Sequence, residues 1–495
     1  MAEVSVIGAG VGGLSVAARL AAAGHVVTVH EQAPEVGGKL GLLERDGFRF
    51  DTGPSLLTLP GLLADTLGVT SSALGSQLEL RRLDPIARYR FGDGTWFDHP
   101  DDRSAFLAAV EALVPGQGIA MAALLDRAAA MWDASRGPFL ESPLQGWRSL
   151  ARQAMRLGDL RTIAPWRSMH SLTTSVLDDP RLVAFVDRYA TYAGSDPRRC
   201  PAALLAVLHA ERSGGAWYVE GGLRRMADVL ADRCLRLGVT IRVGSDVRGV
   251  VVDGGRAVGV VIEGGELCRA DVVVANADAL HLYRDLLPPA VGARPAARVA
   301  AVRPSLSGFV MCLAVQRPPG GPMAHHTVLF PEHYDDEFRD LFARVPRVVR
   351  DPAIYLSVPD DPVVAPPGCA AWFVLVNAPP HDPTGAAGVD WDEPGLADRE
   401  ADRLLALMAH RGVEVRDAVR FREVRTPADL ERRTRAVGGS IYGTSSNGLR
   451  AAFLRPANRA PLPGLFLVGG SSHPGGGLPL VQLSAKIVAG LVGPA

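Results

Sequence analysis

The sequence predicts an α/β fold, and two glycine-rich stretches at opposite ends of the chain carry that prediction. Near the N-terminus, Val4–Ile7 has the composition of a short buried strand, and a glycine turn and an apolar helix follow it. Near the C-terminus, a buried strand within 464–470 ends in glycines and leads through a glycine loop into an apolar helix from Pro479 to Val492. Strand, glycine turn and helix in succession are typical of α/β proteins.

The N-terminal turn has three glycines at the spacing GxGxxG, namely Gly8, Gly10 and Gly13. The first permits a tight turn, the second lets a pyrophosphate approach the backbone, and the third lets the helix pack closely on the strand. A second strand, His25–His30, is followed by Glu31, an acid placed to accept hydrogen bonds from a ribose hydroxyl. The pattern predicts dinucleotide binding and leaves NAD and FAD open; an ordinary glycine turn is the alternative.

The composition argues against several functional classes. With 52 basic and 53 acidic residues the net charge is -1, which gives no electrostatic basis for binding nucleic acid. Five scattered cysteines without a CxxC pair argue against a disulfide framework and a cysteine-based metal site, and they fit a reducing compartment. No secretory signal and no apolar run of membrane-spanning length is present, so we expect a cytoplasmic protein without a membrane span.

The middle of the chain predicts helices and two further groups of strands. Residues 56–68 and Leu223–Leu237 have helical patterns, Tyr89–Phe97 predicts a hairpin, and Ser104–Leu177 is predicted to be helical. Strand-like runs between 239 and 275 predict a β-meander followed by the buried strand 272–275. A second, apolar sheet that could floor a cavity is predicted from four runs, Ser305–Val315, Thr327–Phe330, Ala353–Val358 and Ala370–Val376.

Tryptophan and arginine alternate on predicted helices between 132 and 169. This composition suits a surface that lies among lipid headgroups, and a cap with a solvated basic face is the alternative. The residues concerned are Trp132, Trp147, Trp166, Arg136, Arg148, Arg152, Arg156, Arg161 and Arg167.

Several longer motifs are distributed over essentially the whole chain. They are GAGVGGLSVAARLAAAGHVVTVHE at 8–31, GGK at 37–39, FRFDTGPS at 48–55, RYATYAGSDP at 188–197, WYVEGGL at 217–223, VVANAD at 273–278, HHTVLFPEHYDDEF at 325–338 and LFLVGGSSHPGGGLPLV at 465–481. With them the chain resembles the FAD-dependent carotenoid desaturases of the bacterial phytoene desaturase type, a group that includes carotenoid 3,4-desaturases. The HPGGG-P loop and RYATYAGS are more specific than the GxGxxG turn.

The resemblance implies a composite architecture like that of amine oxidases and phytoene desaturases. A Rossmann-like FAD-binding domain would be assembled from N-terminal, middle and C-terminal segments, beside a mixed-sheet substrate domain and a helical membrane-facing cap. The implied boundaries are 1–85, 216–290 and 441–495 for the three parts of the FAD-binding domain, 86–215 for part of the substrate domain with the cap, and 291–440 for the substrate-binding sheet.

The resemblance also implies which residues hold FAD without a covalent bond. The N-terminal glycines would contact the pyrophosphate, Glu31 the adenosine ribose, and Val247 the adenine through its backbone. The C-terminal loop would line the flavin. The implied cofactor residues are Gly8, Gly10, Gly12, Gly13, Glu31, Gly38, Lys39, Gly53, Pro54, Ser55, Val247, Gly469, Gly470, His473, Gly476, Gly477, Leu478 and Pro479.

The implied reaction inserts a C=C bond into a long hydrophobic polyene, with hydride transfer to flavin N5. A proton acceptor is also needed, and His473 is a candidate by its place in the motif; its alternative role is to fix the loop. The pair His325-His326 is isolated in the sequence and is interpreted as structural. The implied partners are a lipophilic carotenoid, such as phytoene or a later intermediate, a membrane surface, and quinone or oxygen as electron acceptor. No metal is expected.

Three other functions remain open at this point. Two are flavoenzymes, namely a carotenoid isomerase and an amine oxidase. The third is a prenyl-protein escort factor of the dissociation-inhibitor type, which shares the architecture without flavin chemistry. That class predicts a degraded dinucleotide loop, whereas the glycines and Glu31 are intact here.

Overall fold

A five-stranded parallel sheet brings together three distant parts of the chain. The computed structural model describes residues 1–144, 157–317, 323–448, 451 and 455–495. All neighbouring strands of this sheet pair in parallel. Its order is β19 (Leu465–Leu467), β13 (Val272–Ala275), β1 (Glu3–Ile7), β2 (Val26–His30) and β9 (Thr240–Arg242). The predicted strands at both ends of the chain and at 272–275 are therefore confirmed.

The predicted meander is smaller than the sequence indicated. It is an antiparallel sheet of β10 (Val247–Asp253), β11 (Arg256–Ile262) and β12 (Leu267–Arg269). The prediction that 239–243 belongs to it is wrong, because β9 pairs with β2 at the edge of the parallel sheet. Only long-range pairing distinguishes the two arrangements, since either position gives the same local alternation.

The second large sheet has seven strands, two of which come from the predicted hairpin near residue 90. Its order is β18 (Val419–Arg425), β14 (Ser307–Gln316), β17 (Cys369–Ala378), β16 (Ile354–Ser357), β15 (His326–Leu329), β6 (Ala87–Arg90) and β7 (Trp96–His99). The sequence predicted the four apolar strands and missed β18, whose arginine-rich sequence hides its pattern. Two small pairs complete the strands, β3 (Leu42–Arg45) with β4 (Phe48–Asp51) and β5 (Leu80–Arg82) with β8 (Trp217–Val219).

The helices cover both sheets. They are α1 (Val11–Ala22), α2 (Gly61–Leu67), α3 (Arg103–Leu113), α4 (Gly118–Ser135), α5 (Leu157–Ile163), α6 (Met169–Thr173), α7 (Pro180–Asp187), α8 (Ala206–Gly214), α9 (Arg224–Arg236), α10 (Ala279–His281), α11 (Pro289–Ala300), α12 (Tyr334–Leu341), α13 (Leu396–His410), α14 (Pro427–Thr434) and α15 (Leu478–Val492). Short 3-10 or π turns lie at 71–76, 136–140, 188–193, 202–205, 282–286, 416–418 and 437–439. None of the helices in the described ranges is long and apolar enough to cross a bilayer.

The predicted helix over 56–68 is wrong for its first half. Leu57 exchanges both backbone hydrogen bonds with Trp217, so the chain is extended there. Leu59 has φ +52°, outside the helical region, and the helix starts only after Pro60. Farther along, Trp147, Arg148, Arg152 and Arg156 of the tryptophan–arginine pattern lie outside the described residues.

Helix α1 packs against the parallel sheet, whose strands all end at the same edge. Helix α1 follows β1 and packs between α9 and α15, and its residues from Val11 to Ala18 are buried. The carboxyl ends of β1, β2, β13 and β19 all face the same side because the strands are parallel. Ligands of open α/β sheets bind at this edge.

Candidate active site

The glycine turn after β1 has the geometry that its spacing predicts. Gly8 has φ +90° and donates its N–H to the carbonyl of His30 at 2.7 Å. A Cβ on Gly13 would lie 2.0 Å from the carbonyl oxygen of Gly8, so no side chain fits between strand and helix. Gly13 therefore serves packing and does not line the cavity described below.

The N-terminus of α1 opens onto a cavity. Its N-cap is Gly10, which offers no side chain to the free N–H groups of the first turn. A Cβ on Gly10 or Gly12 would come within 2.8 Å or 2.7 Å of the amide of Asn276, so backbone alone fits there. Free N–H groups at the positive end of a helix dipole favour an anion. This cradle fits the phosphates of a dinucleotide.

Glu31 stands at the end of β2 and is buried, with 7% of its surface exposed. Its Oε2 accepts a hydrogen bond from Ala9 N–H at 2.6 Å, and Oε1 accepts one from Ala33 N–H at 2.9 Å. The carboxylate thus fixes the glycine turn and also lines the cavity. Since each carboxylate oxygen accepts more than one hydrogen bond, a ribose hydroxyl can still bind.

Lys39 joins the N-terminal segment to a distant one. Its Nζ donates to the carbonyls of Ser440 at 2.8 Å and Ile441 at 2.7 Å. Burial lowers the pKa of this amine to about 8, and the nearby Asp278 opposes the shift. A half-buried cation on the cavity wall suits the neighbourhood of a phosphate.

The C-terminal loop forms another wall of the cavity. Five residues of this loop that were predicted to contact the cofactor lie on the wall: Gly470, Gly476, Gly477, Leu478 and Pro479. Gly469 lies behind the wall, where a Cβ would lie 2.4 Å from Nδ2 of Asn276. Helix α15 begins at Leu478 with Pro479 in its first turn, as the sequence predicts.

The remaining predicted cofactor residues also reach this cavity. Gly38, Gly53, Pro54, Ser55 and Val247 line it together with the residues above. Their common wall brings the N-terminal, middle and C-terminal segments to one place. Their contacts with a cofactor remain a prediction.

His473 does not line the cavity, and its geometry favours the role of fixing the loop. Its side chain is fully buried, Nε2 lies 3.0 Å from the carbonyl of Ser142, and the ring meets Phe139 edge-on. Burial lowers the pKa of the imidazole to about 4. The backbone around it is held as well, because its N–H donates to Pro456 and its carbonyl accepts from Asn458.

The cavity has a volume of about 990 Å³ and extends from the glycine turn to the seven-stranded sheet. This is the upper end of the range for ligand sites, roughly 300–1,000 Å³. Beyond the glycine-lined end its walls are mostly apolar and come from the sheet and from the helices around it. Members of this apolar part are Trp132, Phe139, Leu140, Leu160, Ile163, Leu204, Val207, Val310, Val328, Phe373 and Leu375.

Sequence reasoning missed several polar residues on these walls. Arg188, Tyr192, Glu211, Tyr355 and Arg455 all line the cavity. The interpretation of His326 as part of an isolated pair is also incomplete, since it lines the cavity and its Nδ1 lies 2.6 Å from the Tyr355 hydroxyl. Arg188 and Tyr192 belong to the RYATYAGS motif, which follows the mostly apolar stretch 182–186. The charged and hydroxyl side chains of this motif were the signal from which their place at the site could have been inferred.

Arg455 holds the C-terminal loop in place by hydrogen bonds to backbone carbonyls. It is buried, and its guanidinium donates to the carbonyls of Tyr442, Thr444 and Gly470 at 2.8, 2.8 and 3.2 Å. Burial lowers its pKa to about 10. Tyr442 in turn covers Gly476, where a Cβ would lie 2.5 Å from the tyrosine ring.

Sequence comparison finds one family and several full-length relatives. The family model "Flavin containing amine oxidoreductase" matches residues 11–492. A 4,4'-diapolycopene oxygenase of Methylomonas sp is 32% identical over 98% of this chain and 97% of the relative. A 1-hydroxycarotenoid 3,4-desaturase of Flavobacterium sp. is 30% identical over 99% of both chains. A zeta-carotene-forming phytoene desaturase of Myxococcus xanthus is 32% identical over 98% of this chain and 93% of the relative.

Solved structures share the fold at lower identity. An oxidoreductase from Methanosarcina mazei superposes with a TM-score of 0.65 at 20% identity, covering 98% of this chain and 99% of that one. Putrescine oxidase bound to putrescine gives a TM-score of 0.63 at 17% identity, covering 99% of both chains. A Rab GDI from Plasmodium falciparum gives 0.51 at 13% identity, covering 86% of this chain and 88% of that one. At these identities the similarity concerns the fold alone.

Proposed function

The chain belongs to the flavin containing amine oxidoreductase family, and from this we propose that it is an FAD-dependent carotenoid desaturase. One structural observation carries the proposal: a single cavity joins the glycine-lined end, suited to a dinucleotide, to a long apolar end, suited to a polyene. The full-length relatives named as carotenoid desaturases support the same reaction. Neither the isomerase, the amine oxidase nor the escort factor is favoured by those relatives.

FAD would be held by the residues predicted from the sequence. The first turn of α1 would bind the pyrophosphate and Glu31 the ribose, while Gly53–Ser55 and the loop 470–479 would border the flavin. Bound FAD supplies the acceptor for the hydride that leaves the substrate when the C=C bond forms. The division of the chain at 85, 215, 290 and 440 is part of this proposal, and the mixing of strands from 1–85, 216–290 and 441–495 in one parallel sheet supports it.

The apolar walls would orient the substrate and exclude water. Side chains such as Phe139, Val310 and Phe373 offer no hydrogen bonds, so they bind a polyene by its apolar surface alone. The positive end of α15 faces the same cavity and favours negative charge there. His473 would act through the shape of the loop, since its imidazole lies outside the cavity.

The desaturase reaction is tested by expression in two hosts, one making phytoene and one making hydroxylated carotenoids. We expect the loss of two hydrogens per new double bond in at least one host, seen as a red-shifted pigment spectrum and a lower mass. Unchanged pigments in both hosts would contradict the proposal. Because one relative is named an oxygenase, a product whose mass rises by oxygen would reassign the reaction. A purified protein that releases no flavin on denaturation would remove all flavoenzyme functions.

We also propose that the protein takes its substrate from a membrane surface. Phe139, Leu140, Leu160 and Ile163 line the cavity and are only partly buried, and Trp166 beside them is 64% exposed. Exposed Trp with neighbouring arginines suits the headgroup region. Flotation with anionic vesicles tests this: Trp166→Ala should reduce binding, whereas Trp96→Ala, 45% exposed on the distant strand β7, should not. Equal losses in both variants, or no binding by the unaltered protein, would contradict it.

The electron acceptor that reoxidises the flavin is proposed to be quinone or oxygen. The holoenzyme is first reduced in the absence of oxygen. Each acceptor is then added separately, and the return of the oxidised flavin absorption is followed. If the oxidised flavin absorption fails to return with both acceptors, this part of the proposal is contradicted.

A further inference from the structure

Three polar side chains stand together in the wall of the apolar part of the cavity. They are Arg188 and Tyr192, from the 3-10 turn after α7, and Glu211, from α8. The Arg188 guanidinium donates to the Tyr192 hydroxyl at 2.9 Å. Arg188 and Glu211 are buried, with 8% and 2% of their surfaces exposed.

The hydrogen bonding of this cluster is incomplete. Oε1 of Glu211 accepts from the Tyr189 hydroxyl at 2.5 Å, but Oε2 is buried and has no hydrogen-bond partner within the described ranges. Arg188 lines the cavity, forms no ion pair with any described residue, and uses one of its five N–H groups in the hydrogen bond to Tyr192. Burial raises the pKa of the Glu211 carboxyl, while the Tyr189 hydroxyl, the charge of Arg188 and the nearby Tyr192 hydroxyl oppose the shift.

Such a cluster is costly in a wall that touches only hydrocarbon. A buried acceptor or charge without a partner is destabilising, and a hydrocarbon chain offers it nothing. A hydroxyl group supplies both missing partners, because it donates one hydrogen bond and accepts others. The cluster is therefore suited to a substrate that carries oxygen at one end.

The cluster also lies beside the loops proposed to border the flavin. The guanidinium of Arg188 stands over the Tyr355 ring at 5.6 Å, and the Tyr355 hydroxyl lies 2.7 Å from Oγ of Ser55. Tyr442, which covers Gly476, also packs against Gly194 just after the 188–193 turn. In a 1-hydroxylated chain that is desaturated between carbons 3 and 4, the oxygen is only a few bonds from the reacting carbons. A hydroxyl subsite near the flavin loops meets that requirement.

We propose that Arg188, Tyr192 and Glu211 form a subsite for the terminal hydroxyl group of an acyclic hydroxylated carotenoid. The substrate hydroxyl donates to Oε2 of Glu211 and accepts from Arg188 or Tyr192. The proposal rests on the desaturase function proposed above and names the substrate class of the same site. It predicts that a hydroxylated carotenoid is preferred over the hydrocarbon that lacks only the hydroxyl.

The test compares 1-hydroxyneurosporene with neurosporene on the FAD-loaded full-length protein. Binding is followed by quenching of tryptophan fluorescence, for which Trp132 on the cavity wall is a reporter, and turnover by pigment analysis. We expect at least about tenfold tighter binding and higher kcat/KM for the hydroxylated compound. Equal affinities would overturn the subsite, whatever the turnover. Failure of turnover with discrimination in binding would leave the subsite supported and contradict only the desaturase function.

Variants separate recognition from structural support. Tyr192→Phe and Glu211→Gln remove a hydroxyl and a charge with little change of shape, so each should bring the affinity ratio of the two carotenoids about tenfold closer to one. The control is Glu337→Gln, because Glu337 is also a buried glutamate, but Ala353 N–H and the Asn377 amide satisfy both of its oxygens. It should leave the ratio unchanged. An equal loss for both carotenoids in Tyr192→Phe and Glu211→Gln would overturn the proposal.

Discussion

At the scale of single residues, a few buried or half-buried charged groups link distant parts of the chain around the cavity. Glu31 bonds two backbone N–H groups, Lys39 bonds two carbonyls, and Arg455 bonds carbonyls of two segments. Each group uses charge to strengthen hydrogen bonds that a neutral side chain would make weakly. Their hydrogen bonds link the backbone segments of the site to one another.

Glu31→Gln should weaken FAD binding about tenfold or more. An amide accepts through one oxygen only, so its NH2 group would face one of the backbone N–H groups that Glu31 now satisfies. The dissociation constant is measured by flavin fluorescence on titration of the apoprotein. Glu44→Gln, an exposed carboxylate paired with Arg49, serves as control and should not change it. An unchanged constant in Glu31→Gln would contradict the role of this carboxylate.

His473 should make folding sensitive to acid. Its pKa is about 4 in the folded protein against 6.5 when unfolded, so between these values the unfolded chain binds a proton that the folded protein does not. The stability that the neutral imidazole contributes is therefore present above pH 6.5 and lost as the pH falls towards 4. The free energy of unfolding lost in His473→Gln should shrink by at most about 1.4 kcal/mol per pH unit over this window.

Urea unfolding of the unaltered protein and of His473→Gln at pH 7, 6 and 5 measures the difference between their free energies of unfolding. Because the two proteins share every other titrating group, those contributions cancel in the difference. His410→Gln, at the exposed C-terminal end of α13, gives the baseline for an exposed histidine. A difference that stays constant with pH would show that His473 is not held neutral.

At the scale of elements, local sequence determines the unit that begins the chain. The strand β1, the turn at Gly8 and the helix α1 follow from apolar run, glycine spacing and helical composition within 22 residues of each other. The edge strand β9, the strand β18 and the extended stretch at Leu57 could not be predicted in the same way. Their conformation depends on partners far along the chain, such as β2 for β9 and Trp217 for Leu57.

Gly13→Ala should prevent FAD binding and lower the melting temperature. Its Cβ would overlap the carbonyl oxygen of Gly8, which can move only if the turn opens. The matched control is Gly490→Ala on α15, where a Cβ meets nothing within 4 Å and alanine favours the helix by up to about 1 kcal/mol. Thermal unfolding and flavin content check both variants. Normal flavin content in Gly13→Ala would refute the packing argument.

At the scale of the whole molecule, the cavity lies where the parallel sheet meets the seven-stranded sheet. The cofactor-side wall could be predicted from motifs, because glycine turns and their acid have a fixed spacing. The polar cluster at Arg188 and Glu211 could not, since only the packing of α8 against the 188–193 turn brings the two side chains to one wall. The loop residue His473 shows the converse, a motif residue that packing turns away from the cavity.

FAD should stabilise the folded protein as a whole because it would bind all three segments of the parallel sheet. At a free concentration about one hundred times the dissociation constant, the expected gain is about 2.7 kcal/mol. Thermal unfolding of the apoprotein with and without added FAD measures it, and NAD at the same concentration is the control. An equal rise with NAD, or none with FAD, would contradict the assignment of the cofactor.

The order of strands in the parallel sheet has a consequence for synthesis. The central strand β1 leaves the ribosome some 270 residues before its sheet neighbour β13, and some 460 residues before the edge strand β19, which α15 follows. A nascent chain therefore exposes its glycine turn long before the opposite wall of the cavity exists. Cofactor loading therefore waits until β19 and α15 have been made, and a translation product that stops before residue 465 is left without the wall that completes the site.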